Sequence, residues 1–156
     1  MEDAKMERAR KVFDTLCATL DSHDWHYSKD DEKLEIVCNA QGDDLPIRVR
    51  FIVDTARQII LLFSPLPFEI SEDKRLDAAI AVSMVNNRIV DGGFDYNIAT
   101  GFLTYRMTSS FIDSDIGNDL FTYMLFTACR TVDDYNDKFL MLSKGTLGIE
   151  YFIPKN

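Results

Sequence analysis

The densest group of potential metal ligands in the sequence combines aspartate with histidine. Asp21, His23, Asp24 and His26 supply oxygen and imidazole donors of the kind that bind zinc and other divalent cations. His23 and His26 have the His-x-x-His spacing, but they are the only two histidines of the chain, and no second ligand pair follows. We interpret the segment as a polar loop between a helix and a strand, and we expect neither a metal nor a cofactor.

Other motifs of catalysis or ligand binding are incomplete. Asp113, Asp115 and Asp119 lack the glycine and glutamate positions of an EF-hand loop, and they suit the acidic start of a helix. The Lys-Gly-Thr-Leu-Gly segment at 144–148 lacks the order of a phosphate-binding loop. The sequence also contains no GxSxG motif. We therefore predict no catalytic residue and no enzymatic activity.

Composition limits the class of protein. The chain has 156 residues and a net charge of −9, which suits a single domain over 1–156. Its acidity argues against binding to nucleic acid or to an anionic membrane, because both need a cationic surface. The longest apolar run, 59–63, is far shorter than the roughly 20 residues of a membrane helix.

The N-terminal residues and the cysteines indicate a compartment. Residues 1–6 have no basic start followed by an apolar core, so they do not resemble a secretory signal. Cys17, Cys38 and Cys129 are an odd number and have neither a CxxC pair nor zinc-site spacing. We read them as buried, reduced thiols and expect a cytoplasmic protein.

Hydrophobic periodicity predicts an α+β fold with an antiparallel sheet of about five strands and three helices, in the order α-β-β-β-α-β-β-α. The connections within the hairpins are too short for parallel crossovers. Pro65 and Pro67 are expected to break the third strand, Ser71 to lie at the cap of the second helix, and Ser114 or Asp115 to cap the third. The predicted elements are helix 9–20, strands 34–38, 47–53 and 58–63, helix 72–87, strands 94–98 and 102–107, and helix 115–142.

Two elements are more apolar than a single covered face requires. The third strand is apolar on both faces, which is typical of a strand covered on both sides or lying at an interface. The second helix is apolar nearly all the way round at 78–85, which indicates burial on more than one side. In so short a chain a second subunit can supply the missing cover, so we predict a homodimer.

These observations select candidate contact residues. Bulky apolar side chains beside Pro65 and Pro67 either stay exposed for a partner or form a buried connection over the helix. The arginines of the second strand either pair across strands with Glu35 or contact an acidic partner. The candidate partner-binding or dimer residues are Ile80, Met84, Leu62, Leu66, Phe68, Arg48 and Arg50.

Four segments are distinctive in type and order. They are Met-Val-Asn-Asn-Arg at 84–88, Gly-Phe-Asp-Tyr at 93–96, Thr-Gly-Phe-Leu-Thr-Tyr-Arg at 100–106 and Asp-Asp-Tyr at 133–135. These segments resemble the YbjN-type family of bacterial sensory-transduction regulators, and the order of elements resembles the type III secretion chaperone-like fold. The resemblance covers roughly 7–144. Because that family has no agreed catalytic residues, the resemblance implies a protein-binding regulator or chaperone-like adaptor that is often dimeric.

The leading hypothesis is a non-enzymatic adaptor that binds a protein partner through its sheet face and the second helix. One alternative is an enzyme or small-ligand binder with an acidic cleft, for which a deep polar pocket joining His23, His26 and several carboxylates would be the sign. A third possibility is an immunity or effector-binding protein, which the acidic charge also suits.

Overall fold

The computed structural model describes residues 1–155, which form three α-helices and a six-stranded antiparallel sheet of order β1-β2-β3-β4-β6-β5. A 3₁₀ turn, Glu72–Lys74, precedes the second helix, and another, Ile149–Tyr151, follows the third. The α+β class is as predicted. The elements are α1 Glu2–Ser22, β1 Tyr27–Asp30, β2 Glu35–Gln41, β3 Pro46–Asp54, β4 Ile59–Glu69, α2 Arg75–Arg88, β5 Gly93–Asn97, β6 Phe102–Ser110 and α3 Asn118–Ser143.

The strand count differs from the prediction because the sheet has an additional edge strand. β1 pairs antiparallel with β2, and Tyr27 lies opposite Cys38. It is only four residues long, and its two middle residues are both exposed. So short a segment carries no clear alternation of apolar and polar residues, so sequence patterning reveals it only as a short extended piece.

The prediction that Pro65 and Pro67 break the third strand is wrong, because β4 continues through both to Glu69. Pro65 pairs with Thr104 of β6. Since proline has no N–H, this cannot be a pair that exchanges two hydrogen bonds, so the backbone of Pro65 is directed at its other neighbour, β3. Consistently, the pairs between β3 and β4 end at Arg50 and Phe63.

The helix starts also differ from the prediction. Ser71 forms no side-chain cap, and its hydroxyl instead donates to the carbonyl of Ser143 at 2.7 Å. Gly117, rather than Ser114 or Asp115, precedes the first residue of α3. The Asp115 carboxylate pairs with Lys11 of α1 at 3.0 Å. This acidic segment therefore ties the start of α3 to α1 instead of capping a helix.

One face of the sheet packs against the helices and forms the core. The register brings the buried strand residues to this inner face, where Phe51 meets Phe121 of α3 with 6.4 Å between ring centroids. Phe94 of β5 packs in the same way against Phe139, at 5.2 Å. The inner face therefore fixes α3 across the middle of the sheet.

The β5–β6 hairpin, which corresponds to the predicted strands 94–98 and 102–107, depends on a glycine in its turn. Gly101 has a φ of +77°, which favours glycine, and its carbonyl accepts a 2.8 Å hydrogen bond from the N–H of Ile70. A Cβ atom at this position would lie 2.3 Å from the carbonyl oxygen of Ile70. The end of β4 and the hairpin turn are thus packed backbone to backbone.

The outer edge of β5 is blocked by a side chain at one position, Phe94. The Asn86 amide, near the end of α2, donates to the carbonyl of Phe94 at 3.0 Å and accepts from its N–H at 2.8 Å. Because β5 is an edge strand, these two groups of Phe94 have no neighbouring strand to bond. Asn86 therefore substitutes for a missing strand at this position.

Candidate interaction surfaces

The second face of the sheet carries apolar side chains that no helix of residues 1–155 buries. We call it the open face. Its apolar residues are only partly buried, whereas their strand neighbours on the inner face are almost fully buried. An apolar surface that no helix covers is a candidate contact site. The open face is formed by Val37, Ile52, Ile59, Leu61, Phe63 and Pro65 together with Arg48, Arg50, Thr104 and Arg106.

The strand register places apolar residues and arginines alternately across the open face. Val37 lies opposite Arg50, Arg50 opposite Phe63, and Phe63 opposite Arg106, across four adjacent strands. In the next row Ile52 lies opposite Leu61. The centre of the face thus has apolar side chains flanked by guanidinium groups, which can contact an apolar and acidic surface at the same time.

The three arginines of the open face differ in their partners. The Nη2 atom of Arg50 lies 3.0 Å from both carboxylate oxygens of Glu35, so of the two alternatives Arg50 forms the cross-strand pair. Arg106 pairs with Asp95 of β5 at 2.6 Å. Arg48 lies opposite Asn39 and forms no ion pair with another residue of 1–155. Its charge is therefore available to a carboxylate from another molecule.

A shallow depression of about 430 Å³ lies beside this free arginine. It is lined by Arg48, Arg50, Phe63, Pro65 and Thr104, so the described lining has two guanidinium groups and no carboxylate. It lies where the pairing between β3 and β4 stops. In a chain with a net charge of −9, this is a locally cationic site with an apolar floor.

Two of the predicted contact residues need correction. Leu62 is 0% exposed and Leu66 is 2% exposed, because both lie on the inner face beneath the helices. Phe68 is partly buried and packs against the core. Their neighbours Leu61 and Phe63 lie on the open face. Phe63 belongs to the bulky apolar group beside the two prolines that the sequence singles out, whereas Leu61 was not selected. An unbroken apolar run does not show which alternate residues a helix covers, so the choice between the two sets could not be made from sequence.

The second predicted surface, on α2, is uncovered in a single chain. Ile80 is 46% exposed and Leu76 is 75% exposed, and Met84 is partly buried. The spacing of four residues aligns these three side chains along one side of the helix, which we call the α2 stripe. Leu76 was missed from the sequence, although its position four residues before Ile80 signals it. The opposite side of α2 is buried at Ala78, Ala81, Val82 and Val85.

The aspartate and histidine cluster does not assemble a metal site within residues 1–155, where no group of three or more metal-binding side chains converges. The Nε2 atom of His23 lies 3.1 Å from the hydroxyl oxygen of Thr122, and its ring meets Phe126 edge-on at 5.4 Å between centroids. His23 therefore packs against α3. A groove of about 520 Å³ lies nearby, but among the described residues that line it there is one carboxylate, Asp133, and neither histidine.

The thiols are poorly suited to nucleophilic chemistry. Burial raises the pKa of Cys38 to about 12 and that of Cys129 to about 11, and it also raises the pKa of Cys17. Thiols with raised pKa values stay protonated at neutral pH, and the protonated form is a weak nucleophile. Within the described chain all three cysteines are free. Separately, no helix in 1–155 has the length and hydropathy needed to cross a membrane.

Several solved structures have a fold similar to that of this chain. YbjN from E. coli is 13% identical, with 78% of this chain and 85% of that chain covered and a TM-score of 0.57. A chain of the ExsC-ExsE complex is 14% identical, with 81% and 92% covered and a TM-score of 0.54. An uncharacterized protein from Methanothermobacter thermautotrophicus is 17% identical, with 86% and 98% covered and a TM-score of 0.54. No curated protein sequence matches the chain significantly.

At these identities the likeness concerns the fold, and it confirms the predicted type III secretion chaperone-like architecture. The family assignment comes from the sequence. The model of the YbjN family, described as "Putative bacterial sensory transduction regulator", matches residues 13–141. That range includes every strand, α2, nearly all of α3 and the C-terminal part of α1. The chain belongs to the YbjN family.

Proposed function

We propose that this protein is a non-enzymatic regulator or chaperone-like adaptor that works in the cytoplasm by binding another protein through its open face. The observation that carries the proposal is the uncovered apolar centre of the sheet at Ile52, Leu61 and Phe63. Burying such side chains stabilises a complex by about 25 cal/mol per Å² of apolar area, before the costs of association are subtracted.

Two likenesses support a binding role. The family is described as a regulator of sensory transduction, and one structure of similar fold is itself a complex of two proteins, ExsC and ExsE. Neither describes a reaction. The raised thiol pKa values and the absence of a converging metal-ligand group in 1–155 likewise offer no chemistry that would favour the enzymatic alternative.

Site-specific photo-crosslinking in cells tests the proposal. A photoreactive phenylalanine analogue replaces Leu61 or Phe63 on the open face. The matched control replaces Met141, a 40% exposed apolar residue of α3 on the opposite layer. We expect one discrete protein adduct from both open-face positions and none from the control. Equal labelling at all three positions would refute a specific open-face contact. Turnover of any compound that is lost with one polar substitution would refute the non-enzymatic role.

The proposal includes self-association through the α2 stripe. Leu76, Ile80 and Met84 form an apolar strip on a helix whose opposite side is buried, and a second copy can cover it with the same strip in a two-fold arrangement. Ile80→Asp and Met84→Asp are expected to convert a dimer to a monomer or to cause aggregation, as measured by light scattering. If both variants keep the mass of the wild-type particle, the stripe is not the dimer interface.

A further inference from the structure

We propose that the depression beside Arg48 receives a carboxylate side chain of an extended segment of the partner protein, while an apolar side chain two residues away packs on Phe63 and Pro65. This inference rests on the proposed function, since it names the chemistry that the open face recognises. Three features of the depression support this inference: its arginine charges, the apolar side chains at its base, and the interrupted backbone pairing between β3 and β4.

The charges of the depression favour an anion. Arg48 and Arg50 both line it, and no carboxylate is among the described residues that do. Arg50 already bonds Glu35, so its position is fixed, whereas Arg48 has no ionic partner within 1–155. A guanidinium group offers a planar pair of donors that matches a carboxylate. An acidic partner residue would therefore complete the pairing at Arg48.

The floor of the depression favours an apolar neighbour of that acid. Phe63 and Pro65 contribute ring surfaces on the same face of β4, because residues two apart in a strand point the same way. The same rule applies to the incoming segment, in which residues two apart share a face. An acidic residue followed two positions later by an aromatic residue therefore presents both groups to this site at once.

The backbone explains why the depression occurs at this place in the sheet. Continuing the register past Arg50 and Phe63 would set Arg48 opposite Pro65, whose nitrogen cannot donate a hydrogen bond. The ladder stops there, although β3 still pairs with β2 through Arg48 and β4 still pairs with β6 through Pro65. At this point β3 is hydrogen-bonded to β2 and β4 is hydrogen-bonded to β6. Regular pairing between β3 and β4 themselves is absent.

The probe for this site is a capped octapeptide with the central sequence Asp-Thr-Phe, titrated into the full-length protein and followed by NMR chemical shifts. We expect saturable shifts on the open face, a loss of at least about tenfold in affinity with Arg48→Glu, and partial retention with Arg48→Lys. The matched control is Arg130→Glu, which makes the same charge change at an exposed residue of α3 and should leave affinity unchanged. An Asn-Thr-Phe peptide should bind about as weakly as the Arg48→Glu variant does.

Several outcomes would overturn the inference. They are absence of saturable shifts, equal loss with Arg130→Glu, equal binding of the Asn peptide, and complete displacement of the peptide by inorganic phosphate at matched ionic strength, which would show a general anion site. The crosslinking experiment separates the two proposals. If Leu61→Asp abolishes capture of the partner and Arg48→Glu does not, the adaptor function stands and the acidic-segment inference fails. Failure of both substitutions to reduce capture rejects the open face as the binding surface.

Discussion

The two faces of the sheet come from the same strands and have opposite environments. On the inner face, Phe51 and Leu62 are fully buried beneath the helices. On the open face, Ile52 and Phe63 are immediate neighbours of those residues in sequence, similarly apolar, and only partly buried. A sheet that faces solvent on one side usually carries polar residues there. The apolar centre of the open face departs from that rule, and this departure supports the proposal that another protein covers it.

The comparison separates the residues that maintain the fold from those available for binding. Inner-face burial contributes to folding stability in the isolated chain, whereas the proposed function requires the open face to contribute mainly to the stability of a complex. Substitutions at matched positions on the two faces should therefore affect different measurements. Inner-face changes should alter the free energy of unfolding, and open-face changes should alter partner capture.

The largest expected difference is between Phe51→Ala and Phe63→Ala. Phe51 is fully buried against Phe121, so its truncation should lower the free energy of unfolding by about 3–5 kcal/mol. The same truncation at the partly exposed Phe63 should cost about 1 kcal/mol or less. Urea denaturation of the two variants measures both values. Equal losses would mean that the open face is packed as a second core, and the distinction between faces would fail.

A smaller effect concerns a titratable group of the inner face. The folded-state pKa of Cys38 is raised from 9.0 to about 12, so the folded state holds its proton more tightly than the unfolded state does. Its contribution to stability is present below about pH 9 and is lost as the pH rises from there towards 12. Across this window, denaturation should show a steeper loss of stability in the wild type than in Cys38→Ala. Parallel curves would contradict burial of the thiol.

The smallest expected effect distinguishes two arginines of the open face. Arg50→Ala removes the pair with Glu35, a partly exposed interaction that should contribute about 0.5 kcal/mol and weaken with added salt. Arg48→Ala removes no ion pair within 1–155 and should leave the free energy of unfolding unchanged. Thermal melts at low and high salt measure the contrast. A larger loss at Arg48 would show that its guanidinium supports the fold and is not free for a partner.

The order of elements could be predicted because most of them carry a clear period. The hairpin around Gly101, the long α3 and the alternation of Ile47, Val49 and Phe51 all follow from local pattern and turn chemistry. β1 was expected only as a short extended piece at 25–28 and not as a strand of the sheet, because four residues contain no usable period. The effect of Pro65 could not be predicted either, since proline stops a ladder only on the side that its nitrogen faces, and that side depends on the neighbouring strands.

The candidate site was predictable in part. Pairing of Arg50 with Glu35 follows from strand alternation and a short hairpin, and the structure has that pair. The exposure of Ile80 agrees with its selection as a contact candidate, although its role in self-association stays a prediction. Leu62 and Phe63 could not be distinguished, because only the packing of α3 onto one face decides which of two adjacent apolar residues is buried.

The Asn86 amide has a consequence for the behaviour of concentrated protein. A sheet with an uncovered apolar face and an open edge strand is also prone to pair with the edge strands of other molecules and to form fibrils. Asn86 occupies both backbone groups of Phe94 that such growth would use at the β5 end. Lateral polymerisation is thereby opposed at that end, and the other outer strand of the sheet offers only the four residues of β1.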